Sequence, residues 1–213
     1  MTPRSRLRLG SPPTSTGAVV QAAQGRRATV SLVVDGAHYT HVTQALATAR
    51  TSVWIATANV KQLMIEAPIG TRARARGRYV PILDTIQSLC DRGVQVRILH
   101  ATLPSGPFRQ ELAARRARLP APTFEMRACP RVHLKMIAVD GAQLYLGSAN
   151  FTGAGLGAKG DGRRNFEMGI ATDDEWLLDE AQKRFDTIWR GAECGSCKLR
   201  RECPKPIDTI QRK

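Results

Sequence analysis

Residues Val132–Asn150 read VHLKMIAVDGAQLYLGSAN, and this stretch decides the expected fold. Two apolar runs separated by Asp140-Gly141 predict two buried strands joined by a turn. The polar residues at their ends form the pattern H-x-K-x4-D-x6-G-S-x-N, made by His133, Lys135, Asp140, Gly147, Ser148 and Asn150. A chance match to six such residues in a chain of this length is on the order of one in 10⁵.

These residue types suit attack on a phosphodiester. A neutral imidazole is a good nucleophile near pH 7, which makes His133 the predicted nucleophile. Side chains alternate along a strand, so Lys135 would face the same way and neutralise charge on the phosphate oxygens. Ser148 and Asn150 add donors from the neighbouring segment. Asp140 is predicted to orient a partner or hold a turn rather than to attack.

The pattern resembles the HKD motif of the phospholipase D superfamily. The resemblance extends over about residues 28–190, although only Val132–Asn150 is specific. It implies that one histidine attacks to form a phosphohistidine while a second protonates the leaving oxygen, with no metal ion in the reaction. It also implies a glutamate, downstream of the asparagine, that supports a catalytic histidine. Glu167, in Asn165-Phe166-Glu167, fits that place.

The chain carries one such motif. None of its other histidines, His38, His41 and His100, is followed by Lys at the second position. Small single-motif members of the superfamily build their site from two subunits, and an isologous dimer brings the same patch from each chain together. We therefore expect a homodimer with His133 of both chains in one site. The alternative is a monomeric protein without activity.

Alternating strand and helix patterns with consecutive strands late in the chain predict an α/β/α sandwich with a mixed, largely parallel sheet. The predicted strands are Thr29–Val34, Ser52–Ala58, Val94–Leu99, Thr123–Arg127, Val132–Val139, Gln143–Gly147 and Phe166–Ala171. The predicted helices are Tyr39–Ala49, Val80–Arg92, Gly106–Arg118 and Asp174–Trp189. We expect a catalytic domain at 28–190, followed by a small cysteine knuckle at 191–213.

The formal net charge of +14 predicts a polyanionic partner such as nucleic acid. Four arginines, Arg72, Arg74, Arg76 and Arg78, alternate with small residues. On an extended segment all four would face one way and could follow a phosphate backbone, whereas the alternative is a solvated loop. Residues 1–27 hold five arginines and no acidic residue, which predicts a disordered basic tail. No apolar run is long enough for a membrane span and no signal peptide is evident, so we expect a cytoplasmic protein.

Three cysteines near the end of the chain, Cys194, Cys197 and Cys203, form the pattern C-x2-C-x5-C-P. With a fourth ligand this spacing suits a structural zinc ion or an iron–sulfur cluster, and Cys129 is the best candidate for that ligand. The alternative is a set of free or disulfide-bonded thiols. In either case the cysteines would take no part in the phosphoryl step.

Three functions fit these observations. The first is a metal-independent nuclease, favoured by the charge and by the single motif in a small chain. The second is a phospholipase D or phosphatidyl transferase, which would need an apolar groove or a membrane-docking surface. The third is a non-catalytic module that binds nucleic acid. Whether the protein works beside a helicase or a restriction subunit is left open.

Overall fold

A computed structural model describes residues 27–212. Seven strands share one sheet: β1 (Ser31–Val34), β2 (Ser52–Thr57), β5 (Gln95–His100), β6 (Phe124–Ala128), β7 (Met136–Val139), β8 (Gln143–Gly147) and β9 (Met168–Thr172). A small hairpin is formed by β3 (Met64–Glu66) and β4 (Tyr79–Pro81). The helices are α1 (Ala37–Thr48), α2 (Arg72–Ala75), α3 (Ile82–Asp91), α4 (Gly106–Ala114) and α5 (Glu175–Trp189), with 3₁₀ turns at Arg116–Arg118, Asp161–Arg163 and Ile207–Arg212.

The large sheet has the order β1-β9-β8-β7-β2-β5-β6. It is mixed, as predicted, but the expectation of a largely parallel sheet was wrong. Only β2 with β5 and β5 with β6 pair in parallel, while the other neighbours are antiparallel. The short connection between β7 and β8 requires these two strands to be antiparallel, whereas the parallel partners of β5 are reached through the crossover helices α3 and α4.

Helices cover both faces of this sheet, which confirms the predicted sandwich. On one face, α1 packs against β1 and β7 and α3 packs against β5, and Leu46, Ile86 and Ile98 are buried in the core between these layers. On the other face, α5 packs against β7 and β8, and its Phe185 ring stacks between Trp54 of β2 and Trp189. The sequence signal for these layers is the helical spacing of the apolar residues.

The chain after α5 returns to the same core. Ile207 is buried beside Phe185 and Trp189, so the C-terminal segment joins the α5 layer. A separate cysteine knuckle is not confirmed. Apart from Arg27, the predicted basic tail lies outside the described residues. Between residues 27 and 212, every helix is too short or too polar to cross a bilayer.

Candidate active site

His133 and Lys135 lie in an irregular segment just before β7. The predicted strand Val132–Val139 begins only at Met136, so alternation along a strand does not explain how the two side chains meet. The Lys135 ammonium nevertheless lies 3.1 Å from each ring nitrogen of His133 and donates to its carbonyl oxygen at 3.0 Å. The Gly147 N–H donates to the Lys135 carbonyl at 3.1 Å, which holds this segment against the end of β8.

The charge on Lys135 is sensitive to its surroundings. Partial burial lowers its pKa, and the carboxylate of Glu167 opposes that shift. A half-buried ammonium is poorly solvated, so an approaching anion is attracted more strongly than by a lysine in water. The carboxylate of Glu167 thus favours the charged form of Lys135.

Glu167 is fixed to the end of the motif by Ser148. The Ser148 hydroxyl donates to Oε2 of Glu167, and the Asn165 amide donates to Oε1 at 2.9 Å. In the main chain, the Ser148 N–H donates to the Met168 carbonyl at 3.0 Å, while the Met168 N–H donates to the Ser148 hydroxyl at 3.1 Å. The glutamate chosen from the sequence therefore contacts the motif directly.

Asp35 is a positioning residue that sequence reasoning missed. Its carboxylate accepts the Glu167 N–H at 3.1 Å, and its own N–H donates to the Glu167 carbonyl at 3.0 Å. Asp35 has a φ of 46°, a left-handed conformation that aspartate tolerates better than most residues. An Asp-Gly pair after a strand signals a turn, but nothing local names its partner 132 residues later.

Asn150 is oriented by the end of β2. Its Oδ1 accepts hydrogen bonds from the Thr57 hydroxyl and the Asn59 N–H, both at 3.2 Å. Because the oxygen is used in this way, the amide nitrogen is the end that is left to donate to a ligand. Thr57, which is buried, also accepts the Phe151 N–H at 3.0 Å and was not singled out in the sequence.

Packing explains the glycine of the motif. Gly147 and Gly169 are directly opposite each other on β8 and β9, and the Tyr145 side chain lies against both. A Cβ on Gly147 would stand 2.8 Å from the Tyr145 ring and 2.9 Å from the Gly169 Cα, closer than van der Waals contact allows. Burial raises the pKa of Tyr145 to about 12, so this phenol remains neutral at pH 7.

Asp140 lies at the opposite end of β7 from His133. Its carboxylate accepts main-chain hydrogen bonds from Arg50, Thr51 and Ser52, at distances of 2.8, 2.7 and 2.9 Å. The sequence left open whether Asp140 orients a partner or holds a turn. These main-chain contacts favour the second role.

The four arginines do not form the predicted extended segment. Arg72–Ala75 is the helix α2, and the Thr71 hydroxyl caps it by accepting the Arg74 N–H at 3.1 Å. The N-terminal threonine and the intervening alanines favour this turn of helix. Arg74 is ion-paired with Glu66, whereas Arg72, Arg76 and Arg78 are exposed.

The four cysteines of the predicted metal site line one small cavity of about 30 Å³: Cys129, Cys194, Cys197 and Cys203. Burial raises the pKa of Cys129, and the three other thiols add to that shift. As the side chains stand between residues 27 and 212, no three His, Cys, Asp or Glu residues form a group that could hold a metal ion. The geometry thus brings the cysteines together without supporting the expected zinc or iron–sulfur site.

Comparison with protein families identifies the family to which the chain belongs. A family model described as a cardiolipin synthase, PLD-like domain matches residues 42–189. The chain belongs to the PLD-like family. The match contains the whole motif and Glu167, while Asp35 precedes it and the three C-terminal cysteines follow it. A search of curated proteins gave no match to this PLD-like chain.

Solved structures share the PLD-like fold at low sequence identity. NucT from Helicobacter pylori is 19% identical with a TM-score of 0.52, over 76% of this chain and 95% of its own. The phospholipase D family member Nuc from Salmonella typhimurium is 20% identical with a TM-score of 0.51, over 77% and 95%. A polyphosphate kinase from Porphyromonas gingivalis is 12% identical with a TM-score of 0.51, over 76% of this chain and 26% of its own.

Proposed function

We propose that this PLD-like protein is a phosphodiesterase that cleaves nucleic acid without a metal ion, in a site shared by two subunits. One observation carries the proposal: the Lys135 ammonium lies 3.1 Å from both ring nitrogens of His133. A phosphate oxygen bound to that ammonium would bring its phosphorus close to the imidazole.

The groups around this pair match the steps of the reaction. An imidazole nitrogen of His133 attacks phosphorus, a P–N bond forms, and the P–O bond to the leaving group breaks. The imidazole of a second His133 gives its proton to the leaving oxygen and later takes one from the attacking water, which breaks the P–N bond. Lys135 and the Asn150 amide would stabilise charge on the non-bridging oxygens.

The positive charge favours nucleic acid over lipid. The exposed guanidinium groups of Arg72, Arg76 and Arg78 can each contact a backbone phosphate. A lipid phosphodiester could undergo the same chemistry, because every proposed catalytic group acts on the phosphate alone. We propose a cytoplasmic location, in keeping with this substrate.

Cleavage of labelled single- and double-stranded DNA and RNA in excess EDTA tests the proposal. His133→Ala should abolish cleavage while thermal melting shows an intact fold. Phosphatidylglycerol vesicles form the second arm of the same experiment. If only phosphatidylglycerol is hydrolysed, the protein is a phospholipase rather than a nuclease. If nucleic acid is bound but neither substrate is cleaved, the protein is a non-catalytic binding module.

Subunit mixing tests the shared site. If each site needs His133 from both chains, a dimer containing one His133→Ala chain is inactive. In an equal mixture after subunit exchange, about one quarter of the dimers keep both histidines, so about one quarter of the activity should remain, rather than the half expected for independent sites. Activity that falls in simple proportion to the wild-type fraction would contradict a shared site.

For the C-terminal cysteines we propose a structural metal ion that the thiols reach by turning toward their common cavity. The support is that all four line it and that cationic Arg131 lies beside Cys197, where it would offset thiolate charge. Metal analysis of the purified protein tests this proposal, and a protein free of zinc and iron would overturn it.

A further inference from the structure

Two loops meet at one end of the large sheet, where the parallel strands β2 and β5 both end. The loop after β2 contains Asn59, and the loop after β5 contains Thr102. The Thr102 N–H donates to the Ala58 carbonyl at 3.0 Å, and the Ser105 N–H donates to the Val60 carbonyl at 3.0 Å. These contacts fix the two loops against each other at the carboxyl ends of the strands, which is where ligands bind in open α/β sheets.

The side chain of Asn59 is held so that its amide nitrogen is left to donate. The Thr102 hydroxyl donates to Oδ1 of Asn59 at 2.7 Å, so the carboxamide oxygen is already used as an acceptor. The Thr102 carbonyl lies 2.9 Å from Nδ1 of the buried His100. Because a carbonyl can only accept, this ring nitrogen carries the proton, and its hydrogen bond fixes Thr102 in turn.

Asn59 is the immediate neighbour of the motif residue Asn150. Its main-chain N–H donates to Oδ1 of Asn150 at 3.2 Å. Two residues further along, the Lys61 N–H donates to the Phe151 carbonyl at 3.3 Å, and Lys61 is exposed. The carboxamides of Asn59 and Asn150 and the chain segment that carries Lys61 therefore lie side by side.

The order of the strands separates Asn59 from the nucleophile. In the order β7-β2-β5, β2 lies between the strand that follows His133 and the strand that leads to Thr102. Since Thr102 holds the side chain of Asn59, this carboxamide lies on the β5 side of β2, away from His133. A donor in that position contacts a part of the substrate beyond the phosphate under attack.

The chemistry of this surface suits an anionic ligand. Residues 57–63 and 100–106 read TANVKQL and HATLPSG and contain no acidic residue. An amide donor next to an ammonium group matches phosphate oxygens, which only accept hydrogen bonds and carry negative charge. In a nucleic-acid strand a cleaved phosphodiester has a neighbouring phosphate, whereas the phosphodiester of phosphatidylglycerol has none.

We propose that Asn59 and Lys61 bind the phosphate next to the scissile one along a nucleic-acid strand, with Thr102 as the positioning residue for the Asn59 amide. This inference rests on the proposed nuclease function and adds a second phosphate subsite to it. The subsite holds the strand so that one phosphodiester lies at His133.

Cleavage of two substrates by the full chain tests the subsite. A labelled oligonucleotide offers neighbouring phosphates, whereas bis(p-nitrophenyl) phosphate contains only one phosphate. Asn59→Ala and Lys61→Gln each remove a contact with a charged group, so each should lower kcat/KM for the oligonucleotide about tenfold more than for the small diester. Gln110→Ala, at an exposed position of α4, is the matched control and should cleave both substrates as the unchanged protein does.

Thr102→Val tests the positioning role. Valine keeps the shape but removes the hydroxyl, so the Asn59 carboxamide loses its fixed orientation. KM for the oligonucleotide should then rise with little change in kcat. Thr102→Ser keeps the hydroxyl and should raise KM less. Equal effects of Thr102→Val on both substrates would instead assign Thr102 a purely structural role.

The outcomes separate this inference from the proposed function. Equal losses on both substrates in Asn59→Ala would overturn the subsite, because they would place Asn59 on the scissile phosphate. If the unchanged protein cleaves only the small diester, the nuclease proposal fails, and oligonucleotide binding to His133→Ala protein, measured by fluorescence anisotropy, decides the inference. In that background, a Kd raised about tenfold by Asn59→Ala would support the subsite as a nucleic-acid contact, and an unchanged Kd would overturn it.

Discussion

Replacing Asp140 with alanine is expected to destabilise the fold and to leave the chemistry at His133 intact. The carboxylate accepts hydrogen bonds from three successive main-chain N–H groups and from the Thr51 hydroxyl at 2.9 Å. A hydrogen bond to a charged group contributes about 1.5–3 kcal/mol, so four independent bonds would exceed about 6 kcal/mol. Since Arg50 and Thr51 are exposed, water can take over many of these hydrogen bonds in the variant. We therefore expect the free energy of unfolding to fall by about 2–3 kcal/mol.

In a domain of this size that loss corresponds to about 5–10 °C in melting temperature. Asp140→Asn should cost about 1 kcal/mol, since asparagine keeps one acceptor oxygen and tolerates the left-handed φ of 57° at this position. Asp179→Ala, on an exposed position of α5, is the matched control and should melt as the unchanged protein does.

The same contacts predict a dependence on pH. Burial alone would raise the pKa of Asp140, but the hydrogen bonds from Ser52, Thr51 and Arg50 hold it below its ordinary value. A carboxylate with a lower pKa in the folded state stabilises fully above its unfolded pKa of about 3.9, and the contribution disappears as the pH falls through the folded-state value. The difference in the free energy of unfolding between the unchanged protein and Asp140→Asn should therefore have its full value at pH 7 and become smaller below about pH 4.

Thermal melting followed by circular dichroism gives the stability, and cleavage is measured well below both melting temperatures. An Asp140→Ala protein with an unchanged melting temperature and no cleavage would refute this reasoning, because it would place the carboxylate in the chemistry.

Three further changes test other parts of the site. Glu167→Gln keeps the shape but removes the charge that Ser148 contacts, so kcat should fall by about 10²-fold with little change in KM; an unchanged kcat would remove Glu167 from the site. Arg76→Gln and Arg78→Gln should each reduce the slope of log Kd against log salt by about one, as measured by fluorescence anisotropy, and an unchanged slope would identify a solvated loop. Cys197→Ser should release bound metal and lower the melting temperature, whereas unchanged values of both would make the tail cysteines ordinary thiols.

Local patterns were sufficient to predict the seven strands of the large sheet and most of the helices, but not the small hairpin of β3 and β4. The apolar runs around Asp140-Gly141 become β7 and β8, and the helical spacing after Asp174 becomes α5. These features depend on neighbours a few residues apart, which a sequence displays directly. The family resemblance similarly rests on one continuous stretch, and the family match confirms it.

The partners of the site residues could not be predicted in the same way. Asn150 is oriented by Thr57 and Asn59, and Glu167 is fixed by Asp35, through hydrogen bonds between segments more than 90 residues apart. Such pairings follow from sheet order, which short patterns do not contain. The helix α2 was missed for a different reason: alternating arginine and alanine is compatible with both extended and helical backbone, and the Thr71 cap decided between them.

Because the C-terminal segment returns to the core, it limits where the chain can be truncated without loss of packing. The family match stops at residue 189, yet Ile207 fills the core beside Trp189. The three cysteines between Trp189 and Ile207 share a cavity with Cys129. The Cys129 carbonyl accepts the N–H of Val132, the residue before His133, at 2.9 Å. A chain shortened to the family boundary would open this packing close to His133, so we expect the smallest unit that folds stably to extend past residue 189 to Ile207.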